Sequence, residues 1–414
     1  MMTPELNRHQ IFTHPLDERR VLVYAPLSGM LTFATPEEVM AAEVNGADDE
    51  FVSQADTEAE TPLMMPDISG YDEMTILLNQ RCNFHCAYCY SAGGRDNSQI
   101  DRDTLLATVR GFILERPGKS LTLTFSGGGD PVLSFPLFTD AVICAESVAE
   151  QCGSSLEIGM VTNGSTLTDR HIEFIRQHNV SIVVSFDVIK EVHDEQRSNY
   201  DEVAVTIRKL LACKVIPGIR STITPLNVTR MPEMVDALHK DFPELTAIAM
   251  EPVLNPGLFA TVKDLDAFYG RFAEGIHAAR KEGAHFGITV GNTILNNIDS
   301  CKNRACMGKF VLTPSGRIVG CSRISSPAEP LFEDFSYGFA SKNGLRIDLN
   351  RYGKIFGNTV ETMEECRGCL AKWHCSGGCL LARKTLSTEY MASFCRFMRQ
   401  MVVSELLDKT EYDD

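Results

Sequence analysis

The 414 residues are enough for a full-sized core plus a second domain, and 44% apolar with 23% charged residues is ordinary for a globular chain. The formal charge is −16, from 39 basic and 55 acidic residues, which opposes sequence-independent binding to nucleic acid or to an anionic membrane. The N-terminal ten residues show no basic region followed by an apolar core, and no apolar run approaches a membrane span, so a cytoplasmic protein is expected.

Residues 1–70 open the chain. Within them Arg20–Pro26 and Met30–Ala34 flank Leu27-Ser28-Gly29 and read as a β-hairpin. Residues 36–68 are acidic and poor in aromatics, the composition of a solvated, partly disordered linker.

Residues 71–290 alternate between two patterns. Apolar, β-branched runs appear at Met74–Leu78, Leu121–Phe125, Leu156–Val161, Ile182–Phe186, Ile219–Ile223 and Ala247–Met250. Helical periodicity fills the gaps: Asp103–Leu114, Phe135–Gln151, Thr168–Gln177, Tyr200–Ala212 and Met231–Lys240, with Asp264–Lys281 after the last run. Six strand–helix repeats predict an α/β fold with a parallel sheet and right-handed crossovers, an open partial (β/α)6 barrel short of the eight units that close a TIM barrel. Such sheets bind ligands at the C-terminal ends of their strands. From residue 291 to 414 the pattern changes to Cys-rich, Gly-containing loops with short helices.

Fourteen cysteines without an export signal favour metal ligation over disulfides. Cys82, Cys86 and Cys89 stand at C-x3-C-x2-C spacing within Arg81–Tyr90, directly after the first strand. Three thiolates on one loop can hold three corners of an iron–sulfur cube and leave the fourth iron open to a small molecule. A closed structural zinc site wants a fourth ligand, which nothing nearby supplies, and His85 adjoins Cys86 too closely to join the same tetrahedron. Eight more cysteines lie between Cys301 and Cys395, while Cys144, Cys152 and Cys213 read as structural thiols.

The cysteine loop after the first strand of a βα repeat resembles the radical S-adenosylmethionine (SAM) superfamily. That resemblance implies a [4Fe–4S] cluster whose open iron is chelated by SAM. It also implies reductive cleavage of SAM to a 5′-deoxyadenosyl radical that abstracts hydrogen from a substrate. Tyr88 matches an aromatic near adenine. Gly127, Gly128, Gly129 and Asp130, after the second strand, stand at the family's G-G-E-P position, with Asp for the usual Glu. Asn163, Ser185 and Asp187 end the third and fourth strands at positions that contact the ribose and carboxylate. Arg197 resembles the arginine offered to the carboxylate, and Arg220 is a second candidate.

The tail, Cys306-x9-Gly316-x4-Cys321 followed by Cys366-x2-Cys369-x5-Cys375-x3-Cys379 and Cys395, resembles the SPASM extension of peptide- and protein-modifying members. By that resemblance Cys301, Cys306, Cys321 and Cys379 hold one auxiliary [4Fe–4S] cluster, and Cys366, Cys369, Cys375 and Cys395 a second. The expected function is an oxidoreductase maturing a ribosomally made precursor peptide, with an intrapeptide cross-link as product and a flavodoxin- or ferredoxin-type electron donor. Neither nucleic acid nor membrane is expected as partner. The N-terminal region is where a substrate leader could pair with a strand edge. Anaerobic sulfatase maturation is the alternative. Its enzymes carry an Asp directly after the cysteine that closes the C-x9-G-x4-C stretch, and Ser322 stands there. Serine cannot act as a base near neutral pH. A non-catalytic iron–sulfur or zinc protein is the reading from another class, opposed by the glycine loop and the polar strand ends.

Overall fold

The alternating apolar runs become strands because each presents one face to crossover helices and the other to the barrel interior. The computed structural model describes residues 3–55, 70–306 and 308–412. Strands β1 (Phe12–Pro15), β2 (Val21–Ala25) and β3 (Met30–Ala34) form a separate antiparallel sheet in that order. The remaining strands, β4 (Glu73–Ile76), β5 (Ser120–Phe125), β6 (Ser155–Thr162), β7 (Ser181–Ser185), β8 (Gly218–Ile223), β9 (Ala247–Pro252), β10 (Thr289–Gly291), β11 (Phe310–Leu312), β12 (Arg317–Val319), β13 (Ser336–Ser341) and β14 (Gly344–Ile347), share one sheet. Its order is β10-β9-β8-β7-β6-β5-β4-β11-β12-β13-β14.

The six expected parallel strands are β4–β9, in sequence order across the sheet. Two short strands extend the parallel run: β10 beside β9 and β11 beside β4. Three residues each were too short to stand out as periodic segments. The expected boundary near residue 291 therefore falls inside a continuous sheet, whose β12–β14 continue antiparallel. A further helix, Lys190–Gln196, follows β7 and was not anticipated.

The N-terminal region differs from expectation. It has a third strand, β1, and residues 36–55 are not a linker: they form helices Pro36–Asn45 and Glu50–Ala55. Thr35 and Glu38 make a reciprocal capping box at the start of the first, and Val39 and Ala42 bury against Val21, Val23 and Ala25 of β2. The acidic side chains face solvent while a thin apolar stripe supplies the core contact. Residues 56–69 of the expected linker lie outside the described residues.

Pro131–Cys152 is long and apolar enough by composition to cross a bilayer, which the sequence reading had excluded. It is the crossover between β5 and β6, with Phe138, Ala141, Val142, Ala145 and Val148 fully buried in the core.

Candidate active site at the barrel mouth

The loop after β4 is bound on four sides. Asn79 and Arg81 accept backbone hydrogen bonds from Gly129 and Asp130 at 2.8 and 2.7 Å, stitching it to the loop after β5. The approach is so close that a Cβ on Gly129 would lie 1.9 Å from the Arg81 carbonyl oxygen, and one on Gly128, at φ +66°, 2.7 Å from that of Asn79. Gln80 Nε2 donates to the Ser325 carbonyl at 2.7 Å, reaching the C-terminal region. Ala87 N donates to the Gln196 carbonyl at 3.0 Å, and Tyr88 Oη donates to Asp187 Oδ2 at 3.2 Å. Arg95 grips the loop from within, donating to the Phe84 carbonyl at 2.6 Å and to Cys89 Sγ at 3.1 Å.

Cys82, Cys86 and Cys89 are all half-buried and near enough that each negative sulfur disfavours the next. Burial pushes the Cys82 and Cys86 thiols up, and the neighbouring cysteines add to it. The Phe84 amide opposes this at Cys82 and the Arg197 guanidinium opposes it at Cys86.

The strand-end residues meet around this loop, but two carboxylates turn inward. Asp130 is buried, its oxygens accepting from Val132 N at 3.0 Å, Thr162 Oγ1 at 3.0 and 2.9 Å, and Asn163 N at 2.8 Å. Burial raises its pKa despite these donors. Asp187 has no exposed surface and accepts from Tyr88, Gln196 Nε2 at 2.7 Å, Arg197 Nε at 2.8 Å, Ser221 Oγ at 2.9 Å and Thr222 N at 3.0 Å. Burial works against its charge, but Arg197 and Gln196 outweigh it and hold the carboxyl below its usual range. These two carboxylates organise the loops. Arg197, 8% exposed and over the Tyr88 ring at 5.1 Å, faces the cavity. The Asn163 side chain donates to Asn83 Oδ1 at 2.9 Å and reaches to 3.9 Å from Cys82 Sγ. Gln196, Arg95 and Asn79 belong to this framework and had no signal in the sequence, because their partners are remote in the chain.

A cavity of about 910 Å³ opens above the strand ends. Cys82, Cys86, Tyr88, Cys89, Gly127–Asp130, Asn163, Ser185, Arg197 and Arg220 line it from the barrel. The C-terminal region closes it with Ser322, Arg323, Glu329 and Leu381. Its size lies at the upper end of small-molecule sites, roughly 300–1,000 Å³, leaving room beside a nucleoside-sized ligand for part of a second molecule.

The C-terminal cysteines fall into two groups. Cys366, Cys369, Cys375 and Cys395 are mutual neighbours, with Arg383 Nη2 3.8 Å from Cys366 Sγ and Arg399 Nη1 4.0 Å from Cys369 Sγ. Cys306, Cys321 and Cys379 form the other, and burial together with the neighbouring sulfurs pushes Cys321 up to about 11. The Cys301 thiol donates to the Pro26 carbonyl at 3.3 Å, beside Tyr24.

Residues 76–242 match the model of the Radical SAM superfamily. That segment is a radical SAM domain. It is 20% identical over 366 residues to the radical SAM cyclopropyl synthase TigE of Paramaledivibacter caminithermalis, spanning 81% of this chain and 73% of TigE. It is 22% identical over 337 residues to a cysteine-type anaerobic sulfatase-maturating enzyme of Clostridium novyi, spanning 73% and 85%. Among solved structures, anSMEcpe with bound AdoMet superposes with a TM-score of 0.65 at 15% identity, over 83% of this chain and all of that one. Streptococcus suis SuiB bound to its precursor peptide SuiA gives 0.55 at 12% identity, over 92% and 97%.

A radical SAM domain implies a [4Fe–4S] cluster and SAM, and the residues present fit both. Anionic thiolates want N–H donors, and Arg95 and the Phe84 amide supply them at Cys89 and Cys82. Among the described residues no three His, Cys, Asp or Glu side chains are gathered as a single ion requires. One tetrahedral zinc holds its sulfurs about 3.8 Å apart, given Zn–S near 2.3 Å. A cube instead binds each thiolate through a different iron, which three cysteines on one loop can supply.

Proposed function

We propose that this radical SAM protein is a maturase that abstracts hydrogen from a ribosomally made precursor peptide and closes a cross-link within it. The observation that carries the reading is the cavity: cluster cysteines and Arg197 on one wall, C-terminal residues on the other, with space for a peptide side chain between. When bound, cluster and SAM supply the 5′-deoxyadenosyl radical. The chain's own residues do the aiming. Arg197 is held by Asp187 at Nε and by Thr222 Oγ1 at Nη2, and it lines the cavity, where a carboxylate of SAM can pair with it. Tyr88, under the same guanidinium, offers a ring edge to adenine. Gly127 and Asn163 line the cavity beside them.

Peptide as substrate class is supported by the likeness to SuiB, solved with its precursor, and by the relatives named as maturases. Ser322 lines the cavity where the resemblance places the carboxylate base of sulfatase maturases, which favours peptide cross-linking over formylglycine formation. The leader has an edge available: β3 pairs with β2 on one side, and among the described residues no strand covers its other side. In this reading the C-terminal cysteines hold two auxiliary clusters that accept the electron left when the substrate radical closes to product, and a flavodoxin- or ferredoxin-type protein delivers the electrons.

Anaerobically reconstituted protein, reduced with SAM and a precursor peptide encoded beside its gene, should release 5′-deoxyadenosine and yield a peptide lighter by two hydrogens per cross-link. An unchanged precursor together with formylglycine in a sulfatase-derived peptide would replace this reading with sulfatase maturation. Zinc in place of iron would remove both.

A further inference from the structure

Resting on the peptide cross-linking reading, we propose that Glu251, at the end of β9, is the proton acceptor of the bond-forming step, the role that Ser322 cannot fill in this cavity.

Closing a cross-link removes two hydrogens from the peptide. The first leaves as an atom, taken by the 5′-deoxyadenosyl radical, which becomes 5′-deoxyadenosine. The carbon radical left behind then bonds to a second side chain in place of that side chain's C–H or S–H hydrogen. This second hydrogen leaves in two parts. Its electron passes to an oxidised iron–sulfur cluster of the C-terminal cysteines, and its proton must go to a base.

Near neutral pH the side chains able to take that proton are carboxylates and imidazoles. Among the described residues no histidine lines the cavity, and three carboxylates do: Asp130, Glu251 and Glu329. Asp130 is buried, with both oxygens engaged by Val132, Thr162 and Asn163. Glu329 is occupied in its own turn. Its Oε2 accepts from Ser325 N at 2.6 Å and Ser326 N at 3.1 Å, and its Oε1 packs on Gly94, where a Cβ would lie 3.0 Å away.

Glu251 differs. Its Oε1 accepts from Thr293 N at 3.0 Å and from Thr293 Oγ1 at 2.6 Å, and Arg220 Nη2 lies 3.9 Å from the same oxygen. These contacts all fall on Oε1, which fixes the carboxylate and leaves Oε2 without a hydrogen bond from the described residues. The side chain is 18% exposed and lines the cavity. Parallel pairing of β8 and β9 sets Glu251 beside Thr222, so the two side chains share one face of the sheet. Thr222 Oγ1 accepts from Arg197 Nη2 at 3.4 Å, which puts Glu251 one strand beyond the arginine that the reading gives to SAM. Leu254, 39% exposed in the loop that follows, adds apolar surface for a peptide side chain there.

The test compares the full-length parent with Glu251→Gln, both reconstituted anaerobically and given SAM, reductant and precursor peptide in D2O. Glutamine keeps an oxygen for Thr293 but cannot take the proton. Hydrogen abstraction comes first, so the variant should go on releasing 5′-deoxyadenosine while cross-linked product falls about a hundredfold, the low end of what a positioned base contributes. Radicals that fail to close take an electron from the reductant and a deuteron from solvent. Recovered precursor should therefore carry carbon-bound deuterium after exchange back into H2O. Calorimetry should find precursor and SAM bound as tightly as by the parent, which also shows that the variant is folded. Cross-linking at the parental level overturns the proposal. A fall of 5′-deoxyadenosine in step with product, or weakened SAM binding, overturns it too and makes Glu251 a SAM ligand instead. The same uncoupling in Glu329→Gln would overturn the choice between the two carboxylates. A parent that leaves the precursor unmodified removes the cross-linking reading and the base with it, whereas a cross-linking parent beside an unaffected variant removes the base alone.

Discussion

Tyr88 donates to Asp187 at 3.2 Å, tying the cysteine loop after β4 to the end of β7 across 99 positions of chain. Asp187 in turn holds Arg197 at 2.8 Å, so loop, ring and guanidinium are fixed by one carboxylate with no exposed surface.

Replacing Asp187 by Asn keeps the shape and removes the charge, which leaves Arg197 buried without its counter-ion. The expected cost is about 3–5 kcal/mol, the usual penalty for an uncompensated buried charge. Urea unfolding measures it. Adding Arg197→Met should recover much of the stability but not SAM affinity; equal recovery of both would show that Arg197 does not serve the ligand.

Burial lowers the pKa of His193 to about 4, with Arg197 assisting and Asp187 opposing. Its Nδ1 accepts from Asp187 N at 3.2 Å and its Nε2 is buried without a partner. A base whose folded pKa is depressed stabilises fully above its unfolded value, near 6.5, and loses that contribution as pH falls toward 4. The parent should therefore lose roughly 2 kcal/mol more than His193→Asn between pH 7.5 and pH 5, taking 1.36 kcal/mol per pKa unit. Parallel unfolding curves for the two proteins across that window would refute the assignment.

Gly129→Ala places a methyl group 1.9 Å from the Arg81 carbonyl, which only a shift of the cysteine loop can relieve. Loss of about four irons per chain is expected, one cluster's worth. Gly270→Ala, in helix Val262–Phe286 with nothing within 4 Å, should instead leave iron unchanged and gain up to about 1 kcal/mol. Iron assay and melting temperature separate the two.

Gln10 accepts from Lys372 Nζ at 2.8 Å and from Trp373 Nε1 at 3.1 Å, joining the N-terminal region to the C-terminal cysteine segment. Gln10→Ala strands two buried donors, at about 1–3 kcal/mol each. Faster proteolysis between the N-terminal sheet and the barrel is the expected readout.

The strand–helix order of residues 71–290 was legible because each apolar run has the period of its element, and the cysteine spacing because its three residues are local in the chain. The helices of residues 36–55 were hidden by composition: their acidic surface outweighs a stripe as narrow as Val39, Ala42 and Val52. Arg95 and Gln196 were invisible for a different reason, since a lone arginine or glutamine acquires meaning only from the group it touches.

The sequence by itself determined the radical SAM domain, the parallel barrel and the spacing of the cysteines, because residue type and spacing are one-dimensional properties. Only the tertiary structure decided which way side chains turn: that Asp130 and Asp187 face inward to organise loops while Arg197 faces the cavity. It also set the Cys301 thiol against the Pro26 carbonyl. Orientation depends on partners brought together from distant parts of the chain, and no local pattern encodes those partners.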